Sequence, residues 1–321
     1  MKVLVTGGAG FIGSNLVQAL MNDDRITAVR VLDNLETGRF ANIAAFKNDS
    51  KFEFIEGDIR NYGICLGAAE GVDLISHQAA LGSVPRSVKD PITTHEVNAT
   101  GTLNIFNAAR ENSIKRVVYA ASSSTYGDHP GLPKVEDKIG SPISPYGVTK
   151  LVNELYAKVF AELYGMEFIG LRYFNVYGPQ QNPGGPYAAV IPLFIKALLD
   201  GKSPVINGTG ENSRDFTFVD DVVQANLQAM FTNNPAAVNQ VYNVAKGEQT
   251  TLNELFNTLK EISGKDIKPI HGQERNGDIK HSLADISKAR KLLGYNPSTS
   301  PADGLRKTFD WYKKNSLIFA A

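Results

Sequence analysis

The chain has 321 residues, of which 42% are hydrophobic and 21% charged, a balance that excludes a disordered chain and gives length for about two domains. Lys and Arg total 33 and Asp and Glu total 33, so the formal net charge is zero. That argues against a broad basic face for nucleic acid or a membrane surface, but not against a local anion site.

The N-terminal Met1–Gly7 reads as a strand running into glycines. It lacks the apolar length and the cleavage site of a signal peptide, and no stretch reaches the about 18 apolar residues of a membrane span. A soluble cytoplasmic protein is expected. Short apolar runs at Val3–Thr6, Ala28–Leu32, Phe52–Ile55, Leu74–His77, Arg116–Ala120 and Glu167–Leu171 predict strands buried on both faces. Helical patterns lie between them at Phe11–Met21, Asn61–Ala69, Asn98–Arg110 and Pro145–Tyr164. This alternation predicts an α/β fold with a Rossmann-type doubly wound parallel sheet. The turn formers from Gly178 to Pro186 mark a junction. Beyond it come predicted helices at Val190–Asp200, Asp220–Phe231 and Leu252–Ile262, the last with capping-box chemistry at Thr251 and Glu254. The strand Gln240–Val244 is expected to return to the main sheet. The expected division is a cofactor domain of residues 1–178 plus about 219–245, and a smaller mixed α/β substrate domain of 179–218 and 246–321. The lone Cys65 excludes an internal disulfide and reads as a small half-buried hydrophobe. The five histidines fall in no metal-binding pattern, so no metal is expected.

Gly7, Gly10 and Gly13 follow the first strand and open a helix. Glycines there permit a tight turn, and backbone N–H groups at a helix N-terminus attract a pyrophosphate. Asp33 ends the second strand, 20 residues after Gly13, the spacing of an acid that bonds ribose hydroxyls. Its charge would repel a 2′-phosphate, which favours NAD over NADP, although Arg30 and Arg39 lie nearby. The alternative reading of Asp33 is the start of a turn with Asn34. Asp58, after the third strand, suits either an adenine edge or the N-cap of the next helix.

Ser144 and Pro145 start a helix that carries Tyr146 and Lys150 four residues apart, on one face. Upstream, Ser122, Ser123, Ser124 and Thr125 follow the Arg116–Ala120 strand, at the end of the sheet where ligands bind. A free tyrosine, with a pKa of about 10, is a poor base. Bringing it to about 7 takes about 4 kcal/mol. One positive charge about 4 Å away supplies roughly that at an effective dielectric of about 20. Lys150 is expected to provide the charge, with the nicotinamide ring adding to it.

Gly7–Gly13, Ser122–Ser124, Tyr146 with Lys150, and Arg172–Gly178 together resemble an extended short-chain dehydrogenase/reductase over essentially the whole chain. Within that superfamily the chain resembles the UDP-hexose 4-epimerases. The segments Ala80–Ser87 and His281–Ala289 are similar to the branch acting on UDP-N-acetylglucosamine and UDP-N-acetylgalactosamine. The resemblance implies retained NAD, a transient 4-keto sugar and hydride return to the opposite face. It implies contact of NAD with Gly7, Gly10, Phe11, Ile12, Gly13, Asp33, Asn34, Asp58, Ile59, Gln78, Ala79, Ala80, Asn98, Tyr146, Lys150 and Tyr173. Tyr146 and Lys150 are implied to be catalytic, and Ser122, or else Ser123, to bond the 4-oxygen. The sugar nucleotide is implied to meet Gly82, Ser83, Arg86, Ser123, Asn175, Ala189, Val190, Arg214, Arg275, Asp278 and Ser282. Arg214 falls on the diphosphate, and Ser282 stands where simple galactose epimerases carry a bulky tyrosine. Arg86 leaves a uronate substrate open. Related dehydratases carry an acid pair where this chain has Ser123 and Ser124. A homodimer through Asn98–Arg110 and Pro145–Tyr164, and a role in polysaccharide precursor supply, are also implied. The other readings are a nucleotide-sugar oxidoreductase or decarboxylase of the same fold, and an NAD-sensing protein without enzymatic activity.

Overall fold

The computed structural model describes residues 1–184, 188–274 and 280–315. Seven strands form one parallel sheet: β1 Lys2–Thr6, β2 Ala28–Asp33, β3 Phe52–Glu56, β4 Leu74–His77, β5 Arg116–Ser122, β6 Glu167–Tyr173 and β7 Gln240–Val244. Their spatial order is β3-β2-β1-β4-β5-β6-β7, with every neighbour parallel. The expected return of the Gln240 strand is thus observed, beside β6. The strand order reverses between β1 and β4, and an open α/β sheet has its ligand crevice beyond that reversal.

Alternate residues of each strand face opposite cores, which is why the sequence runs are continuous rather than alternating. Val3 and Val5 pack in one core with Val118, Ile169 and Leu171. Leu4 packs in the other with Val117, Tyr119 and Phe168. Helices α1 Phe11–Met21 and α2 Tyr62–Ala69 match their sequence patterns closely. The predicted Asn98–Arg110 helix is two pieces: a π-helical turn at Glu96–Thr100, then α3 Gly101–Glu111. Helix α4, Pro145–Tyr164, starts at Ser144, whose Oγ accepts from Gly147 N at 3.1 Å, and ends at Gly165 in a left-handed conformation.

A third core lies after the junction. It joins Phe194, Ile195 and Leu198 of α5 (Val190–Leu199) to Leu255, Phe256 and Leu259 of α7 (Leu252–Ser263) and to Phe309 and Tyr312 of α8 (Pro301–Lys314). Helix α6, Val219–Phe231, packs instead on the sheet's first core through Val222, Ala225 and Ala229. Sequence patterning did not give α8, nor the short helix Val84–Lys89 that shapes one cleft wall.

Cys65 is fully buried rather than half-buried, and burial pushes its thiol up to about 12. Among the described residues no helix is long and apolar enough to cross a membrane, and no group of His, Cys, Asp and Glu could hold a metal.

Candidate active site

One cavity of about 520 Å³ opens at the strand reversal. It runs from the end of β2 past the glycine turn to the start of α4, so Asp33, Gly10 and Tyr146 share one wall system.

The glycine turn is a backbone surface. Gly7 has φ +68, and a Cβ there would sit 2.7 Å from the Ala79 backbone. A Cβ on Gly13 would lie 2.0 Å from the Gly7 oxygen. Any side chain at either place would wedge the turn open, and at Gly7 it would also be conformationally strained. At the end of β2, Asp33 accepts from Ala9 N at 2.9 Å and from Leu35 N at 2.8 Å. The turn role and the cavity-facing role therefore coexist in one carboxylate. Burial raises its pKa, and these N–H groups pull it back. Arg30 does not serve as a phosphate ligand here. It is bound to Glu53 Oε2 at 2.8 Å and to the carbonyls of Ala68 and Glu70.

Asp58 lies two residues beyond the end of β3. Asn61, not Asp58, caps the next helix, accepting from Ile64 N. Asp58 lines the cavity, takes a hydrogen bond from Asn34 Nδ2 at 3.0 Å and pairs with Arg60 at 2.7 Å. The Arg60 hydrogen bond holds its carboxyl down at about 2. Phe11, Ile12, Ile59, Gln78, Ala79 and Ala80 also line the cavity.

Asn98 stands behind the wall. Its Oδ1 accepts from Leu81 N at 2.8 Å and its Nδ2 donates to Leu81 O at 3.2 Å. It shapes the loop that follows β4 and is fully buried. Tyr173 donates to Gln78 Oε1 at 3.0 Å and accepts from Asn226 Nδ2 at 2.8 Å. Gln78 Nε2 donates to Asn226 Oδ1 at 3.0 Å, closing a ring of three side chains. Asn226, on α6, carried no local signal in the sequence.

Tyr146, Lys150, Ser122 and Ser123 converge on the cavity, as expected. Lys150 Nζ donates to Ala120 O of β5 at 2.7 Å and lies 5.9 Å from the Tyr146 ring centre. Burial pulls Lys150 down to about 8, while Glu154, one turn further along α4, supports its charge. Glu154 is itself paired with Arg172 at 2.7 Å, with side-chain exposures of 8% and 4%. Burial raises Tyr146 above its ordinary value, and the Ser122 hydroxyl pulls it back. Ser122 Oγ also accepts from Ser124 N at 3.1 Å, which fixes its position.

At the sugar end, Asn175 has φ +34 and lines the cavity. Its Nδ2 donates to Asp215 O at 3.0 Å and to Ser282 Oγ at 3.2 Å. Ser282 Oγ also accepts from Asp215 N. Arg214 donates to Ser213 O at 2.9 Å and to Lys280 O at 3.2 Å, and neither it nor Ser282 lines the cavity itself. Asp215 is fully buried and accepts from Lys246, Gly247 and Ala284 N–H groups. Burial pushes it up to about 6. Gly82 and Ser83 line the opposite wall, with Ser83 capping the short helix at Arg86 N. Ala189 caps α5, which starts at Val190. Arg275 and Asp278 lie outside the described residues.

Gln181 was not singled out by the sequence. It lines the cavity, its Nε2 donates to Val176 O at 3.2 Å, and its buried Oε1 has no hydrogen-bond partner.

A family model described as the NAD dependent epimerase/dehydratase family matches residues 3–245. The chain belongs to this family. The UDP-glucose 4-epimerase of Mycolicibacterium smegmatis is 38% identical over 98% of this chain and 100% of its own length. A solved UDP-N-acetylglucosamine 4-epimerase from Methanobrevibacter ruminantium, in complex with UDP-N-acetylmuramic acid, is 40% identical with a TM-score of 0.92 and 98% of both chains covered. A UDP-glucuronic acid 4-epimerase from Bacillus cereus, solved with UDP-glucuronic acid and NAD, is 34% identical with a TM-score of 0.90, covering 98% of this chain and 99% of that one. NAD is the cofactor of the family, and the glycine cradle and the Asp33 carboxylate at one end of a long cavity fit a dinucleotide.

Proposed function

We propose that this chain interconverts UDP-N-acetylglucosamine and UDP-N-acetylgalactosamine by epimerisation at C4, through a transient 4-keto sugar, as a cytoplasmic enzyme supplying polysaccharide precursors. The observation that carries the reading is the convergence of Tyr146, Ser122 and Lys150 in the same cavity as the glycine turn and Asp33. Gly7–Gly13, Asp33, Gln78 and Tyr173 would hold NAD. Bound NAD supplies the hydride acceptor and donor at C4, and its oxidised ring adds positive charge.

Tyr146 takes the proton from the 4-hydroxyl and later returns it. Ser122 hydrogen-bonds the same oxygen and steadies it as its charge changes. Lys150, pinned to Ala120, holds a positive charge beside the phenol. Ser123 and Ser124 stand where a dehydratase needs acids, so the keto sugar keeps its 6-hydroxyl.

The preference for an N-acetylated sugar rests on Ser282, Gly82 and Ser83. Ser282 is small and hydrogen-bonded to Asn175 on the cavity wall, and the Ser83 hydroxyl beside Gly82 suits a 2-acetamido group. Arg214 is the diphosphate partner in this reading. UDP-glucose and UDP-galactose would bind more loosely, since they lack that amide.

A homodimer fits the exposed apolar residues of α4, among them Leu155, Val159 and Leu163. The second helix of that face in this reading is α3, with the partly buried Leu103, and Val88 and Ile92 are exposed nearby.

The test is product analysis by NMR from UDP-N-acetylglucosamine and UDP-glucose with the purified protein, with NADH release followed in parallel. A C4 epimer without stoichiometric NADH is expected. Stoichiometric NADH release would sink the proposal in favour of net oxidation.

A further inference from the structure

Gln78, directly after β4, and Tyr173, the last residue of β6, line the cavity from either side of β5. Ser122, which ends β5, is the register partner of Tyr173. The two side chains therefore stand at the reacting end of the cleft, not at the Asp33 end. Asn226 of α6 lies behind them, fully buried and outside the cavity wall.

The polarity of this trio is settled from behind. Val222 O, a carbonyl of the same helix, can only accept, so the atom 2.8 Å from it is the Asn226 amide nitrogen. The second hydrogen of that nitrogen goes to Tyr173 Oη at 2.8 Å. Asn226 Oδ1 then faces Gln78 Nε2 at 3.0 Å, which fixes the Gln78 amide the same way round. The other Gln78 N–H is spent on Ser76 Oγ at 3.0 Å. Tyr173 has one proton. It goes to Gln78 Oε1 at 3.0 Å or to Asn226 Oδ1 at 3.2 Å, inside the ring either way. All side-chain N–H and O–H groups of the trio are thus used internally. What remains for the cavity is acceptor capacity, on Gln78 Oε1 and Tyr173 Oη.

We propose that Asn226 is a positioning residue of the cofactor site, locking Gln78 and Tyr173 as a pair of acceptors for a hydrogen-bond donor on the nicotinamide half of NAD, its carboxamide N–H or a ribose hydroxyl. The inference rests on the reading that Gln78 and Tyr173 hold NAD, and on no choice of sugar. Without Asn226 the Gln78 amide can turn over and the Tyr173 proton can point outward, so each would meet a donor with a donor. Acceptors fixed in advance need no reordering when the cofactor arrives.

The experiment follows NAD release from the purified holoprotein, without sugar, as free NAD after ultrafiltration of timed samples. Asn226→Asp removes both amide donors at almost constant size, and Asn226→Leu removes the ring contacts altogether. Each should speed release by roughly tenfold or more. Asn226→Leu combined with Gln78→Leu should give less than the product of the two single effects, because the first acts through the second. A full product would mean that Asn226 only braces α6, and would overturn the proposal. Exchange of NAD for 3-acetylpyridine adenine dinucleotide, whose methyl ketone lacks the carboxamide N–H, separates the two donors. Faster release of the analogue than of NAD from the unsubstituted protein, but not from Asn226→Asp, assigns the carboxamide; equal release assigns the ribose. If Gln78→Leu and Tyr173→Phe speed release but neither Asn226 variant does, the inference falls and the cofactor reading stands. If none of the four changes release, both fall.

Discussion

The two ends of the cleft are built from different materials. At the cofactor end the surface is backbone: glycines that admit no side chain, and a carboxylate fixed by Ala9 and Leu35 N–H groups. At the sugar end the surface is side chain: the exposed Asn175 lines the cavity, bonded to the half-buried Ser282, with Arg214 on the neighbouring short strand Ser213–Arg214. A backbone cradle changes only when the fold changes. A surface of loop side chains can change by single substitutions. The cofactor is accordingly the invariant part of the chemistry, and the sugar is the adjustable part.

The strongest way to test that contrast is between the ends, at the base. Tyr146→Phe is expected to lower C4 epimerisation by about 10²- to 10⁴-fold. NAD should still be recovered after denaturation. Loss of NAD along with activity would show that the tyrosine belongs to the cofactor's grip rather than to the chemistry.

Next in size is the support beneath Lys150. Arg172→Met leaves Glu154 buried without its partner, which should cost about 3–5 kcal/mol in urea denaturation. Lys196→Met removes an exposed pair with Asp200 and should move stability by less than about 0.5 kcal/mol. Equal effects would mean that the buried pair is no anchor.

A smaller effect is expected at the sugar end. Ser282→Tyr should slow UDP-N-acetylglucosamine by roughly ten- to a hundredfold through crowding. UDP-glucose turnover should be spared. Equal loss on both substrates would show that Ser282 holds the loops rather than selecting the sugar.

The last is a pH effect at the cofactor end. His77 is buried between Thr6 Oγ1 at 2.7 Å and Thr102 Oγ1 at 2.9 Å, and burial beside Lys150 pulls it from 6.5 down to about 3. Its folded pKa lies below its unfolded one, so the unfolded chain binds the extra proton. Stability is therefore full above 6.5 and falls as pH drops toward about 3. His77→Asn should flatten that slope in denaturant titrations across the interval. An unchanged slope would place the acid sensitivity in other groups.

The sequence made the sheet legible because each buried strand is an unbroken apolar run, and the glycine spacing located the turn. The pair Tyr146 and Lys150 was legible because helical spacing puts them on one face. Other parts depend on contacts made across long stretches of chain. Asn226 meets Gln78 and Tyr173 only after α6 folds onto the sheet. The resemblance assigns the Asn98 amide to the cofactor, yet the folded loop engages it through Leu81.

Asp215 has a mechanical consequence. Its carboxylate gathers N–H groups from residues 246–247 and from Ala284, while its own backbone meets Asn175 and Ser282. Chain segments far apart in sequence are therefore riveted at one point, directly after β7. That side of the cleft behaves as an anvil. Adjustment to sugars of different size falls to the facing jaw, where Gly82 has open space around it.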